Sequence, residues 1–303
     1  MYLGIDFLLT STSELYVIEV NVGLPGGAHE YDLTHRVSLG KPSNIFERIE
    51  STSSKAYGQP FKDYLHSLPF IASLKELKIC MDGMGPFPRT FHPGLRLEDK
   101  WIQYRLLHSL VPMPDTIPLD LDERVSANRF FQVDGKAALK RRLGRGGRGF
   151  QVISSSDDLK ALNVGPKEYL LQKYVESKVD HYSLSIRAIA FAGRFMCMYA
   201  NLSTRSHSNH GTLTFVEPGL LFGLKEKSFG TRSFNQKSWE AEIWFGENTP
   251  PYLRHNLYEE EVAETSLQLP EPLYEKIKEL SVKIERAYEG LDLSQLPKAC
   301  FET

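Results

Sequence analysis

The sequence predicts a mixed α+β (α/β) fold, and three observations carry that reading. The chain opens with two apolar, β-rich runs around a polar turn, "LGIDFLLTSTSELYVIEVNV". Its middle places short strand-like runs on either side of a glycine-rich turn, "LKRRLGRGGRGFQVISSS". Toward its end, Leu273, Ile277, Leu280, Ile284 and Ala287 fall on one stripe at helical spacing.

Tyr2 to Leu9 and Leu15 to Val22 read as the paired strands of the opening hairpin, with Thr10 to Glu14 as the turn. A helix is expected at Asn44 to Tyr57, a strand at Leu74 to Met81 and a Gly/Pro-rich loop at Asp82 to Pro93. Leu97 to Leu110 reads as a helix ended by Pro112 and Pro114, with Trp101, Tyr104, Leu106, Leu107 and Leu110 as apolar contacts. Phe130 to Leu143 reads as two short β segments around Asp134-Gly135, and Phe150 to Ser154 as another strand. Ser156 is placed to cap a short helix to Leu162. Glu168 to Val175 reads as a strand, and Ser183 to Asn201 as two strands joined at Gly193. Pro272 suits the first turn of the final helix and Gly290 its exit.

Composition narrows the class. At 303 residues there is room for two domains or one elaborate one, and 41% hydrophobic with 24% charged residues is ordinary for a soluble globular chain. A net charge of −2 gives no bulk pull toward nucleic acid or an anionic membrane, so neither is expected as a partner. Cys80, Cys197 and Cys300 are dispersed and odd in number, which suits a reducing compartment better than a disulfide framework. There is no long apolar run and no basic region leading into one at the start, so a cytoplasmic protein is expected.

The chemistry-bearing residues begin in the hairpin. With its turn centred between Thr12 and Ser13, Asp6 falls opposite Glu19, and Glu19 shares a face with Asn21. Like charges directly opposite are destabilising, so something should offset them. A hard divalent cation on Asp6, Glu19 and Asn21 would do so, with the glycine-rich stretch Val22 to Gly27 letting backbone approach an anion. The alternative is an exposed polar face on an edge hairpin.

Gly144-x-Gly146-x-x-Gly149 matches a dinucleotide fingerprint only as letters, because a strand rather than a helix follows it. No Lys-Ser/Thr follows Gly149, so it is not a Walker loop. What remains is a glycine hairpin able to fold over phosphates, with Lys140 beforehand and Arg141, Arg142, Arg145 and Arg148 adding positive charge. A plain basic surface turn would share these features. The end of the strand around Gln172, Lys173, Tyr174 and Val175 offers backbone groups that could read a base edge, with Gln172 adding a side chain. His207 and His210 lie in a polar stretch and make no metal site by themselves.

Together these pieces resemble the ATP-grasp superfamily. Leu97-Glu98-Asp99-Lys100 is similar to its Asp-Lys segment and Pro114-Asp115-Thr116 to its P-x-T. Lys140 with Gly144, Arg145, Gly146, Gly147, Arg148 and Gly149 resembles its lysine strand and lid. Gln172 to Val175 resembles its adenine hinge, and Ser185-Ile186-Arg187 its arginine strand. Asp6, Glu19 and Asn21 resemble its metal triad, which here stands first. The resemblance therefore implies a circularly permuted member with two α+β subdomains clasping ATP. It divides the chain into a metal hairpin and loop at 1–40, a small pre-ATP-grasp-like region at 41–115, a glycine-lid subdomain at 116–178 and the remainder at 179–303. It also implies that the final helix leads in space toward Tyr2.

The implied activity is ligation of a small-molecule or peptide carboxylate to an amine, or to a thiol, through an acylphosphate. ATP and Mg²⁺, or Mn²⁺ in its place, are the implied cofactors. Lys100 and Lys140 would hold phosphates, and Arg187 and Arg205 would stabilise developing charge. A kinase on the same scaffold and a nucleotide-binding regulator without turnover remain open. Two departures stand out: Val22-Gly23-Leu24 lengthens the run before Pro25, and Ser185 stands where glutamate-ligase members tend to carry an acid.

Overall fold

The computed structural model describes residues 1–22, 25–68, 93–119, 131, 135–144, 147, 149–161, 168–204, 211–236, 239, 242–243 and 258–297. The expected strand at Leu74 to Met81, the loop before Pro93 and the β segment before Gly135 lie outside these residues, Phe131 apart, which is helical.

The opening hairpin forms from β1 (Leu3–Leu9) and β2 (Leu15–Val22). Its register has a different cause from the one the turn suggests. Leu9 pairs with Leu15, Leu8 with Tyr16 and Phe7 with Val17, so the turn is centred on Thr12. A β-bulge between Asp6 and Phe7 then shifts the pairing by one residue and sets Asp6 opposite Glu19. Without that bulge Asp6 would oppose Ile18, and the two carboxylates would point to different faces.

Three helices follow: α1 (Ala28–Leu39), α2 (Ile45–Tyr57) and α3 (Phe61–Ser67). The sequence reading anticipated only the second. The apolar residues of α1 do not form a clean stripe, and α3 is too short to show a period. A 3-10 turn over Pro93–Glu98 leads into α4 (Lys100–Leu107). The expected helix therefore starts later, because the Asp99 carboxylate caps it by accepting from the amides of Trp101 and Ile102. It also ends earlier, and Leu110 is exposed rather than packed.

The smaller sheet contains β3 (Thr116–Pro118), β4 (Ala137–Arg141), β5 (Gln151–Ile153) and β6 (Tyr169–Lys173), in the order β3-β6-β4-β5. All its pairs are antiparallel, and β4 and β5 are the two arms of the glycine-rich hairpin. Its core holds Ile117, Leu119, Ala137, Leu139, Ile153 and Leu171, closed by Leu159 of α5 (Ser156–Ala161). The cap of α5 is Ser155, one residue earlier than expected: its Oγ accepts from the Asp158 amide, and Asp158 Oδ2 accepts from the Ser155 amide in return.

The larger sheet has nine strands. β7 (Lys178–Val179), β8 (Tyr182–Phe191), β9 (Arg194–Ser203), β10 (Thr212–Gly219), β11 (Gly223–Leu224), β12 (Thr231–Gln236) and β13 (Tyr258–Pro270) join the hairpin in the order β11-β13-β10-β9-β8-β1-β2, with β12 on β13 and β7 on β8. β10 and β13 pair in parallel and all other pairs are antiparallel. Everything from β10 to β13 is structure the sequence reading left unassigned. In β13 the buried positions include Thr265 and Ser266, so neither an apolar run nor a clean alternation marks it.

Against this sheet packs α6 (Glu271–Glu289), where Leu273, Ile277 and Ile284 of the expected stripe are buried and Leu280 and Ala287 half-buried. The Met1 amine reaches Glu285 and Glu289 on α6, so that helix does run toward the first strand. Phe61 and Tyr64 of α3 pack with Tyr2 and Phe191 in an aromatic cluster. Described residues of 41–115, among them Ile45, Ile49, Phe61 and Ile102, join the core of the larger sheet. Cys197 is buried and in no disulfide among the described residues; Cys80 and Cys300 lie outside them. Among the described residues no helix is long and apolar enough to cross a membrane.

One buried ion pair ties the small sheet to α4. Arg142, just past β4, donates from Nη2 to Asp99 Oδ2 at 2.8 Å and from Nε to Asp99 Oδ1 at 3.1 Å, while the Lys100 amide donates to the Arg142 carbonyl at 3.0 Å. Asp99 has no exposed surface, so removing it takes the ion-pair partner from buried Arg142 and uncaps a helix. Asp99→Ala is expected to lower unfolding stability by about 3–5 kcal/mol, as for other broken buried pairs. Combining it with Arg142→Leu should recover part of that loss. Urea denaturation of the single and double variants measures both.

Candidate functional site

Cross-strand register builds the site. Residues directly opposite in a ladder share a face, and one such row crosses four strands: Glu19 on β2, Asp6 on β1, Arg187 on β8 and Tyr199 on β9. Asn21 is two residues beyond Glu19 and faces the same way, with its Nδ2 donating to Asp6 Oδ2 at 3.3 Å. The Arg187 guanidinium grips Asp6 through two donors, Nε to Oδ1 and Nη2 to Oδ2, the second at 2.9 Å. Its Nη1 donates to the Pro25 carbonyl at 2.6 Å and so holds the loop that follows Asn21. Gly4 makes room for this: a Cβ there would stand 2.4 Å from Pro25 Cβ and 3.1 Å from Arg187 Nη1.

Lys100 is delivered by a different device. β2 is the last strand of the large sheet and would present bare amides and carbonyls. Glu98 and Gln103 cover that edge. Glu98 Oε1 accepts from the Val22 amide at 2.8 Å, Gln103 Oε1 accepts from the Val20 amide at 3.1 Å, and Gln103 Nε2 donates to the Val20 carbonyl at 2.6 Å. With the helix start clamped to β2 in this way, Lys100 Nζ lies 3.3 Å from Glu19 Oε1 and donates to the Gly144 carbonyl at 2.5 Å. Lys100 therefore bridges the acidic hairpin and the first glycine of the basic turn.

Lys140 completes the group from β4. Its Nζ donates to Gln172 Oε1 at 2.8 Å, and Gln172 Nε2 donates to Thr116 Oγ1 at 3.0 Å. Burial pulls the Lys140 ammonium down to about 8, and Lys100 adds to this, while Glu19 and Asp6 oppose it. Burial lifts the Asp6 carboxyl above its ordinary value by more than Arg187 offsets, with Glu19 pushing the same way. Burial also pushes Glu19 upward, but Lys100, Lys140 and Arg187 outweigh it and hold that carboxyl below its usual range. The two acids respond differently because Glu19 faces two lysines from outside the large sheet.

The structure thus brings together Asp6, Glu19, Asn21, Lys100, Lys140, Arg187 and Gly144. Gly147 and Gly149 take left-handed φ values of 69° and 74° in the turn between β4 and β5. A Cβ on Gly149 would also stand 2.8 Å from Arg141 Cγ. Arg145, Gly146, Arg148, Arg205, His207 and His210 lie outside the described residues. The Gln172 amide is held within the protein by Lys140 and Thr116, and so supports Lys140 rather than standing open to a base. The Lys173 amide donates to the Asp115 carbonyl at 2.7 Å, and the Tyr174 ring lies under Lys136 Nζ at 5.9 Å, with Val175 next in the chain.

Sequence reading missed the clamp of Glu98 and Gln103, the Asp99–Arg142 pair and Tyr199. Asp99 could have been found as a helix cap, being the acid just before the periodic run. Tyr199 could not, because a β-bulge between Ile189 and Ala190 shifts the β8–β9 register by one.

Among the described residues no three His, Cys, Asp or Glu side chains gather into a metal cage. Two carboxylates and an amide do gather, all oxygen donors on one face. That set suits Mg²⁺, which takes one or two carboxylates and leaves its other positions to water and phosphate. It does not suit a closed structural site.

No known family profile matches the chain, and no curated protein matches it in sequence. Among solved structures, a protein from Methylobacillus flagellatus KT provisionally named gamma-glutamylcysteine synthetase overlays it with a TM-score of 0.46 at 10% sequence identity. The overlay covers 96% of this chain and 90% of that one. A likeness this loose assigns neither fold nor activity.

The lowered Lys140 value has a definite sign. The ordinary value is 10.5 and the folded one about 8, so between them the unfolded chain keeps a proton that the folded protein sheds. Stability is therefore least below pH 8 and rises toward pH 10.5. Lys140→Met is expected to gain about 1–3 kcal/mol at pH 7, a gain trimmed by the lost partner of Gln172. It should also remove that rise. Urea unfolding of both proteins at pH 7 and pH 10, read as the difference between them, tests this.

Proposed function

We propose that this chain is an ATP-dependent ligase of the ATP-grasp kind, which joins a carboxylate to an amine by way of an acylphosphate. The observation that carries the reading is the row Glu19, Asp6, Arg187, flanked by Lys100 and Lys140 from two other elements. Two opposed carboxylates with an amide beside them suit a magnesium ion, or manganese in its place. Cations arriving from α4 and from the smaller sheet suit the phosphates of a nucleotide held between the sheets. The order of the pieces, acidic hairpin before glycine hairpin, is that of a permuted member of the family.

The chain's own groups then have separable tasks. Asp6, Glu19 and Asn21 would hold the metal, whose contribution is to neutralise phosphate charge. Lys100 and Lys140 would bind phosphate oxygens, and an incoming anion would offset the cost that burial puts on the Lys140 charge. Arg187 would release part of its grip on Asp6 and hold the substrate carboxylate, a planar bidentate match. The glycine turn, already touching Lys100 through the Gly144 carbonyl, would close over the phosphates and exclude water from the activated acid. Most of the rate gain would come from positioning and charge.

Glu19→Ala is expected to stay folded yet lose turnover by at least 10²–10³-fold, the scale for one electrostatic stabiliser. Asp6→Asn should raise the Mg²⁺ concentration needed for half-maximal nucleotide binding. Mg²⁺-dependent ATP binding by calorimetry, followed by ADP release against pooled carboxylates and amines, is the decisive measurement. Full ATP consumption by the Glu19 variant would refute the metal role.

A further inference from the structure

The acids that would hold a metal ion already have partners inside the protein. Asp6 gives its carboxylate to Arg187 and to the Asn21 amide group. Glu19 gives Oε1 to the Lys100 ammonium at 3.3 Å, and the side chains of that pair are only 9% (Lys100) and 15% (Glu19) exposed. Metal ligation and internal ion pairing therefore draw on the same oxygens.

Lys100 cannot simply step aside. Its backbone amide is bonded to the Arg142 carbonyl, Asp99 before it caps α4, and Gln103 one turn later is clamped to β2. Its Nζ is held a second time, by the Gly144 carbonyl at 2.5 Å. An ammonium has three donors, so two of them are spent within the protein. A small hard dication binds about 2.1 Å from a carboxylate oxygen. On Glu19 Oε1 it would stand no more than roughly 5.5 Å from Lys100 Nζ, like charge facing like charge. Burial leaves little water there to screen the pair. The ion must displace the ammonium or do without that oxygen.

Resting on the ligase reading, we propose that Lys100 guards the metal position: it pairs with Glu19 until the phosphates of a nucleotide take its ammonium, and so keeps a bare divalent cation off that carboxylate. Phosphate and Glu19 are rivals for one ammonium. Metal and Lys100 are rivals for one carboxylate. Each exchange eases the other, so metal and polyphosphate strengthen one another's binding by the same factor. The Gly144 carbonyl loses its donor in the same exchange, which ties the first glycine of the basic turn to the occupancy of the metal position. Lys140 has no such place. It acts on Glu19 through space and donates to Gln172 instead.

The test uses the full chain and inorganic probes. Mn²⁺ binding without nucleotide is followed by loss of the free-ion electron paramagnetic resonance signal, and tripolyphosphate binding by calorimetry in EDTA. Lys100→Met is expected to bind Mn²⁺ about ten-fold or more tightly than the unaltered protein. Lys100→Gln keeps a neutral donor for the Gly144 carbonyl, should show the gain as well, and stands in if the methionine variant fails to fold. Lys140→Met should gain clearly less. Without metal, Glu19→Gln should bind tripolyphosphate about ten-fold or more tightly. That gain should vanish in a Lys100→Met background, where no ammonium is left to compete for. Three results overturn the proposal: no gain in Mn²⁺ affinity in either Lys100 variant, an equal gain in Lys140→Met, which would report net charge alone, or a Glu19→Gln gain that survives Lys100→Met. Mg-ATP binding by the unaltered protein, measured in parallel, reports on the ligase reading by itself. If it fails while both exchanges hold, the guard stands and the ligase does not; if it holds while they fail, the ligase reading stands without the guard.

Discussion

Two carboxylates facing each other across an antiparallel ladder repel unless positive charge stands beside them, and the whole site is arranged around that need. At about 4 Å, in surroundings with an effective dielectric near 20, such a repulsion is on the order of 4 kcal/mol. Arg187 on β8 answers Asp6, and Lys100 on α4 answers Glu19. Neither cation belongs to the hairpin that carries the acids. The hairpin is therefore satisfied only when β8 pairs with β1 and α4 is clamped to the edge of β2. Charge neutralisation and strand order are one requirement here.

The same arrangement explains why the site holds together and yet can change hands. Arg187 and Lys100 supply beside the two acids the positive charge that, on the proposed reading, a metal ion would also bring. Lys140 is different: its immediate partner is the neutral amide of Gln172, and burial with the nearby Lys100 charge outweighs what Glu19 and Asp6 return to it. An anion arriving there relieves a cost that the folded protein otherwise carries. Stability given up at one position for the sake of binding is a common bargain at functional sites. The Asp99–Arg142 pair limits how far the small sheet can shift while this happens, because it fixes the end of β4 to the start of α4.

Much of the architecture was legible in one dimension. Apolar, β-rich runs around a polar turn marked β1 and β2, the glycine-rich turn between apolar runs marked β4 and β5, and the helical stripe marked α6. Asp6, Glu19, Asn21, Lys100, Lys140 and Arg187 could all be nominated by residue type and spacing. What escaped has physical causes. Helix α1 buries a mixed face including Asp32 and Thr34, so no stripe identifies it. Strand β13 buries Thr265 and Ser266 beside Leu267, and reads as polar until its neighbours are known. The hairpin register came out right at Asp6 from a turn placed half a residue off, with the bulge supplying the difference.

By itself, then, the sequence determined which residues could carry chemistry and which of the clearly patterned stretches were strand or helix, because hydrophobic period and residue type are local properties. Tertiary structure alone decided who meets whom. A bulge at Asp6/Phe7 turns Asp6 toward Glu19, and a second at Ile189/Ala190 turns Tyr199, rather than Met198, toward Arg187. A bulge costs one unpaired residue and inverts every side chain beyond it. Its position depends on packing from strands and helices distant in the chain, which no local pattern of residues records.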